Sequence, residues 1–434
     1  SYLFHKGDDS IQLSLDEIRS KAKENTRRFG NEPGVVVTAQ VINVLREKGK
    51  QKRIIPYIHV AGTNGKGSVC AFFSSILKKE HMRVGTFVSP HLVDFEERIT
   101  VDGRMIPKED VTRLGNYLLD IDFGIGLTMF DYCLAMALLY FEEQQCDYMV
   151  IETGLGGRLD STNAIGTPQC AVITKIGYDH MAILGSDIAD IAAEKAGIIK
   201  ENSAVVVEQQ DKRAMQVIEQ EAQKKHARII TVEQSDIARC SGYALRLCGT
   251  FQWENAAAAE LAARYVLGKR YSGLEYEMQY DKTEPKREKT DLNKRIKSAL
   301  EEAVWPGRME IVSKAPFLLV DGAHNSNGVD ALKESLMQMY PGERFCFFMG
   351  VMADKDYDVM IREILPLAEE FYTVTPDSDR ALQASNLADF IRKEGVKATE
   401  LSGVDEIRKH LKRDTKNVAF GSLYFIGEIK QHRI

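Results

Sequence analysis

The stretch HVAGTNGKGS, His59 to Ser68, leaves a short apolar run at Ile54 to Val60 and enters a segment where Val69, Phe72, Phe73, Ile76 and Leu77 recur at i, i+3 and i+4. That spacing predicts a helix with one buried face, so the glycine-rich loop joins a strand to a helix. Strand, tight loop and helix in that order belong to an α/β fold with a mostly parallel sheet. The glycines let the backbone turn its N–H groups and the helix N-terminus toward an anion, and Lys66 reaches the outer phosphates of a nucleotide such as ATP. Gly62, Thr63, Asn64, Gly65, Lys66, Gly67 and Ser68 are therefore the candidate phosphate cradle. The loop departs from the standard pattern: Val60 stands where its first glycine belongs, and Gly67 follows the lysine, which moves the hydroxyl to Ser68. A plain glycine-rich turn is the competing reading, and the lysine in a strand-to-helix context weighs against it.

Working outward, further apolar runs lie at Arg83 to Ser89, Tyr148 to Glu152, Ala171 to Ile176, Ala204 to Val207, Phe317 to Asp321, Arg344 to Met349 and Asn417 to Phe420. Several are continuous, as strands covered on both faces should be. Leu134, Ala137, Leu138 and Phe141 mark another one-faced helix. From about Gly268 to Ala303 the alternation gives way to a stretch dense in Lys, Glu and Asp, including KTEPKREKTD, before a turn at Trp305 to Gly307. This stretch reads as a solvated surface insertion, and its end divides the chain into a larger domain, 1–303, and a smaller α/β domain, 304–434. A length of 434 residues already exceeds what one core usually serves.

Composition narrows the ligand class. A formal charge of −6 with intermixed signs offers no general attraction to nucleic acid or anionic lipid, so an anionic ligand must be held locally. Seven cysteines with no C-x-x-C pair fit neither a disulfide framework nor a zinc ribbon and suit a reducing compartment. The first residues carry no apolar signal region, and no apolar run reaches the length of a membrane span. A soluble, cytoplasmic protein is the expectation.

Ligands of parallel sheets collect beyond the carboxyl ends of the strands. There stand Ser89 after GTFV, Glu152 ending YMVIE, and Asp179 with His180 after AVITKIGY. A nucleotide-bound Mg²⁺ needs only a few protein oxygens, and Glu152 suits that role best. Taken singly, Glu152 reads as a solvated strand end and His180 as a structural histidine; beside the phosphate loop they read as one metal and phosphate site. In IAAEKAGIIK, Ile188, Ile191 and Ala192 define an apolar face on which Lys195 falls at i+7. A buried ammonium requires an acidic partner, a lowered pKa or chemical conversion, unless its stem lies along apolar surface and its head reaches water.

Longer motifs carry a resemblance. GTNGKGS, SPH at Ser89 to His91, IETGLGGRLDSTN at Ile151 to Asn163, KIGYDHMAILG, AAEKAGIIK, ENAA at Glu254 to Ala257, PGRME at Pro306 to Glu310 and DGAHN at Asp321 to Asn325 resemble the motifs of folylpolyglutamate and dihydrofolate synthases, relatives of the Mur ligases. The likeness runs from about residue 20 to 425. It implies an N-terminal P-loop ATPase domain, a smaller Rossmann-like C-terminal domain, and a reaction between them that needs domain closure.

By the same resemblance, Ser89, Glu152 and His180 match magnesium ligands, Asn255, Arg308 and Asp321 match ATP-holding residues, and Lys195 matches a lysine carried as a carbamate. Lys66, His180 and Lys195 are then the catalytic candidates. LTMFD, with Leu127, Thr128 and Phe130, resembles the pterin-binding loop, although its usual Glu is Asp131. Phe251 in GTFQ replaces a usual histidine, and His324 and Ser422 fall where glutamate-side contacts are expected. The implied reaction is ATP- and Mg²⁺-dependent addition of L-glutamate to a folate or dihydropteroate carboxylate by a monomer. A Mur-type ligase for another acid or amino acid, and a non-catalytic ATP-binding regulator, are the alternatives.

Overall fold

The computed structural model describes residues 15–24, 32–272 and 286–434. Eight strands form the first sheet: β1 (Tyr57–Ala61), β2 (Val84–Phe87), β3 (Ile99–Val101), β4 (Arg104–Met105), β5 (Tyr148–Glu152), β6 (Cys170–Ile173), β7 (Ala204–Val207) and β8 (Arg228–Thr231). Their order is β4-β3-β2-β5-β1-β6-β7-β8, parallel except for the antiparallel β3 and β4 at one edge. Every residue of β1, β5 and β7 is buried, which explains why these strands read as unbroken apolar runs. The first strand begins later than its apolar run because Pro56 lacks an N–H, and Ile54 before it is exposed. The run at Ala171 to Ile176 ends at Ile173, because Thr174 to Gly177 bends over to bond the phosphate loop.

Helix α1 (Lys66–Lys79) buries Val69, Phe72, Phe73, Ile76 and Leu77, the face its spacing predicts. Helix α2 (Met129–Glu143) is buried almost all round, well beyond its expected single face. The other helices that shape the site are α3 (Ile188–Ala196), α4 (Phe251–Ser272), α5 (Lys286–Glu302), α6 (Ser326–Met339) and α7 (Leu423–Gln431). Alanines 256–259, 262 and 263 of α4 are buried in the same cluster as α1, where small side chains permit close packing.

The charged stretch corrects the expectation of a solvated insertion. Part of it, 273–285, lies outside the described residues, but α5 buries Ile296, Ala299 and Leu300 in the α1 cluster. Ser75 Oγ donates to the Ala299 carbonyl at 2.7 Å, and Arg295 Nε meets Glu80 Oε1 at 2.6 Å. The helix completes the first core. Leu300→Ala is expected to cost about 3 kcal/mol, seen as a lower denaturant midpoint at unchanged slope; a change within experimental error would return α5 to the surface.

Six strands form the second sheet: β9 (Glu310–Lys314), β10 (Phe317–Val320), β11 (Phe345–Met349), β12 (Ala368–Thr373), β13 (Ala398–Glu400) and β14 (Lys416–Phe420). The order is β13-β12-β11-β14-β10-β9, with only β9 antiparallel. Both sheets are thus largely parallel and helix-covered. All seven cysteines are free thiols, and no helix among the described residues is long and apolar enough to cross a membrane.

Candidate active site

In the first sheet β1 lies between β5 and β6, and the chain runs from β1 to β2 on one side and from β6 to β7 on the other. This is a topological switch point, where a crevice opens beyond the strand ends. The register sets Val60 beside Glu152 and Ala61 beside Ile173, so the phosphate loop, Glu152 and the loop after β6 emerge at one level. Ser89 follows β2 on the far side of β5.

The loop is shaped by close approach. A Cβ on Gly62 would stand 1.8 Å from Thr174 Oγ1, and Gly65, at φ +92°, would press one against Asn255 Oδ1 at 2.3 Å. Only glycine fits either position. Thr174 Oγ1 donates to the Asn64 carbonyl at 2.6 Å, and Thr63 Oγ1 bonds both the Gly177 carbonyl and its N–H at 3.0 Å. Ser68 is buried, and its hydroxyl accepts from Gln252 Nε2 at 3.2 Å while Gln252 Oε1 accepts from Asn255. Gln252 was not singled out from the sequence, because only the fold brings α4 onto the loop.

Lys66 Nζ donates to the Gly62 and Thr63 carbonyls at 3.2 and 3.3 Å and lies 3.8 Å from Glu152 Oε1. Glu152 is buried; burial raises its pKa, against Lys66 and the Ser89 N–H, which donates to it at 3.2 Å. Lys195 on α3 is also buried, with Nζ 2.8 Å from the Gly62 carbonyl. Its head therefore points into the site and not to water. Burial, followed by repulsion from Lys66, lowers its pKa to about 7. Two lysines, one carboxylate and a carbonyl-rich loop converge within a few ångströms.

His180 sits at φ +50° with an exposed ring 3.9 Å from Asp179. Burial works against the Asp179 charge, yet hydrogen bonds and charge from His324 and Lys355 hold its carboxyl far below the usual range. Across the domain boundary, Asn325 and Asn64 exchange side-chain hydrogen bonds at 3.1 and 3.3 Å. His324 Nδ1 contacts the Gly322 carbonyl. Asp321 is buried and accepts from the Met309 and Ala323 N–H groups, which fixes the turn carrying Arg308. Arg308 lines a cleft of about 320 Å³ with Cys248, Trp305 and Met309. Ser422 is buried as the N-cap of α7, accepting from the Tyr424 N–H.

The LTMFD segment lies elsewhere along the crevice. Leu127 is buried, Thr128 caps α2, and Phe130 packs against Gly154 and, edge to face, against Phe87. Asp131 accepts from Thr128 and from Ser161 of the IETGLGGRLDSTN loop. That loop is fixed from below by Asp160, which takes the Leu155 N–H and the Thr162 hydroxyl, and by buried His59 bonded to Thr162 at 2.7 Å. Phe251 packs instead on the C-terminal core. A larger cavity of about 590 Å³, mostly apolar, opens between Ser89, Glu152, Trp305 and Arg308.

Comparison with known proteins agrees with this fold. Residues 60–263 match the Mur ligase middle domain and residues 307–420 the Mur ligase glutamate ligase domain. The chain is 34% identical over 441 residues to dihydrofolate synthase/folylpolyglutamate synthase of Bacillus subtilis, covering 93% of this chain and 96% of that protein. Folylpolyglutamate synthase of Lacticaseibacillus casei is 28% identical, covering 90% and 93%. Among solved structures, Mycobacterium tuberculosis folylpolyglutamate synthase complexed with ADP superposes with a TM-score of 0.80 at 25% identity, covering 98% and 99%. E. coli FolC in complex with DHPP and ADP gives 0.78 at 28%, covering 97% of each chain. Two matched domains, near-complete coverage and a superposable fold lead to one assignment: the chain belongs to the folylpolyglutamate and dihydrofolate synthase family of the Mur ligase superfamily, ATP-dependent, ADP-forming amide ligases.

Proposed function

We propose that this ligase joins L-glutamate to the carboxylate of a folate, and of dihydropteroate, in the cytoplasm and as a monomer. The carrying observation is the meeting of Lys66, Glu152 and Lys195 on the first domain with Asn325 of the second at Asn64. One chain supplies both halves of the site, which supports the monomer. Seven free thiols suit a reducing compartment. The ADP in the M. tuberculosis and E. coli complexes, and the DHPP in the latter, support a nucleotide on the loop and a pteridine-type acceptor in the crevice.

An acceptor carboxylate oxygen attacks the γ-phosphorus of ATP, the bond to the β-phosphate oxygen breaks, and ADP leaves. The amine of glutamate then attacks the acyl carbon, a C–N bond forms, phosphate departs and the amine proton is lost. Lys66 and the loop N–H groups neutralise the transferring phosphoryl group in place, without rearrangement at the moment of reaction. Phe130 offers an aromatic face to the acceptor ring. Asn255, Arg308 and Asp321 border the nucleotide, whereas His324 and Ser422 lie on the glutamate side.

Among the described residues no three His, Cys, Asp or Glu side chains cluster into a protein-only metal cage. Buried, hard-oxygen Glu152 beside the phosphate loop nevertheless fits Mg²⁺ that takes most of its ligands from phosphates and water. Glu152, Ser89, His180 and a carbamylated Lys195 would hold it. When bound, the ion supplies charge neutralisation and orientation of the phosphates.

The test is phosphate release from Mg-ATP and L-glutamate with dihydropteroate, with tetrahydrofolate, and with no acceptor, product mass being followed in each. Acceptor-dependent ADP with a gain of one glutamyl residue is expected with both acceptors. Turnover with neither would assign the site to a different acid or amino acid.

A further inference from the structure

Among the described residues, three of the contacts that join the domains lie around the site. Leu92 inserts among Leu318, Phe425 and Ile426 of the C-terminal core. Thr250 N donates to Ser335 Oγ on α6 at 3.1 Å. The third is polar and centres on Asp179, in the loop after β6. Lys355 Nζ donates to Asp179 Oδ1 at 2.7 Å, Asn325 Nδ2 donates to Oδ2 at 3.1 Å, and His324 Nε2 lies 3.5 Å away. Asn325 reaches on to Asn64 of the phosphate loop. The Lys355 and Asp179 side chains are only 11% and 9% exposed.

A desolvated ion pair with charge-assisted hydrogen bonds is satisfied in one register only. On separation of the domains, water replaces these partners, so docked and parted forms are two alternatives and not a continuum. The mechanism uses neither Asp179 nor Lys355, although both adjoin groups that it does use. We propose that the Asp179–Lys355 ion pair is an interdomain latch, which sets the docked arrangement and so positions Asn325 against the phosphate loop and His324 beside Asp179. Both members are positioning residues.

The test uses the full chain and four variants: Lys355→Gln, Lys355→Arg, Asp179→Asn and the double Asp179→Asn/Lys355→Gln. Small-angle scattering without ligands reads the docking, circular dichroism the fold, and acceptor-dependent phosphate release the turnover. Lys355→Gln should keep its secondary structure, raise the radius of gyration and lower kcat/KM roughly ten- to a hundredfold. Lys355→Arg, which retains the cation, should restore the docked radius and bring turnover within about threefold of the parent. The double variant should be no worse than the poorer single, because both remove one interaction. High salt should expand the parent and Lys355→Arg but not the three variants that lack the ion pair. An unchanged radius in every variant, or losses that multiply in the double, would overturn the latch. If Asp179→Asn does not fold, the Lys355 pair alone decides, and the scattering result stands whichever acceptor the enzyme uses.

Discussion

Lys66→Met is expected to lower acceptor-dependent ADP formation by about three orders of magnitude while leaving the fold intact. Methionine keeps most of the length and removes the charge. In the parent, Lys66 is already held by the Gly62 and Thr63 carbonyls and faces Glu152 at 3.8 Å, so in the proposed mechanism its charge waits where phosphoryl charge develops. Preorganised charge of this kind acts in the transition state, so the loss should fall on kcat more than on KM for ATP. Lys66 also contributes to the depressed pKa of Lys195, and its removal should let that pKa climb from about 7. Lys66→Arg should not rescue, because a planar fork does not fit the carbonyl pair that seats a compact ammonium. Steady-state phosphate release, with ADP binding measured by calorimetry, checks this. A kcat within threefold of the parent would remove Lys66 from the chemistry.

Such a residue was legible before any fold was known, because its signal is local: glycines, a lysine, and a switch from strand to helix periodicity. Glu152 was legible for a similar reason, as a lone acid ending an apolar run in a sheet whose strand ends gather ligands. What stayed hidden depends on contacts between distant segments. Gln252 lies far along the chain from Ser68, and nothing in its neighbourhood announces the bond between them. Lys355 stands in an ordinary polar loop until the domains dock.

The helix at Lys286–Glu302 is a different case, since its signal was present and masked by charge. Leu292, Ile296, Ala299, Leu300 and Ala303 recur at helical spacing beneath the dense Lys and Glu, and a periodicity test there would have found the buried face. Short edge strands such as β4 and β13 escaped for want of length, with two and three residues. In β12, Glu369 and Glu370 interrupt the apolar run; Glu370 pairs with Lys397 and Lys412 at the sheet margin. The apolar pattern of Lys195 could place the cation inside, but the choice between a buried head and one reaching water needed the Gly62 carbonyl.

That carbonyl makes the second large effect. Lys195→Ala should lower kcat by about two to three orders of magnitude, with partial recovery on adding a small carboxylate such as acetate or formate. Lys195 Nζ has one hydrogen-bond acceptor, repulsion from Lys66, and attraction from Asp179 and then Asp160. With a pKa of about 7, near half of its amine is neutral at pH 7, against roughly one part in several thousand for an ordinary lysine. A neutral buried amine adds CO₂ to its nitrogen and releases one proton, which turns a poorly placed cation into an anion with two oxygen donors. Protonation opposes this, so CO₂ uptake and activity should fall together as pH drops from 7 toward 6, where only about a tenth of the amine stays neutral. Native mass spectrometry should detect one added CO₂ on the parent and none on Lys195→Ala. Stripping CO₂ from the buffer should slow the parent and leave the acetate-supported variant unchanged. If the parent keeps full rate without CO₂ and carboxylates do nothing for Lys195→Ala, Lys195 acts as an amine at the Gly62 carbonyl and not as a carbamate.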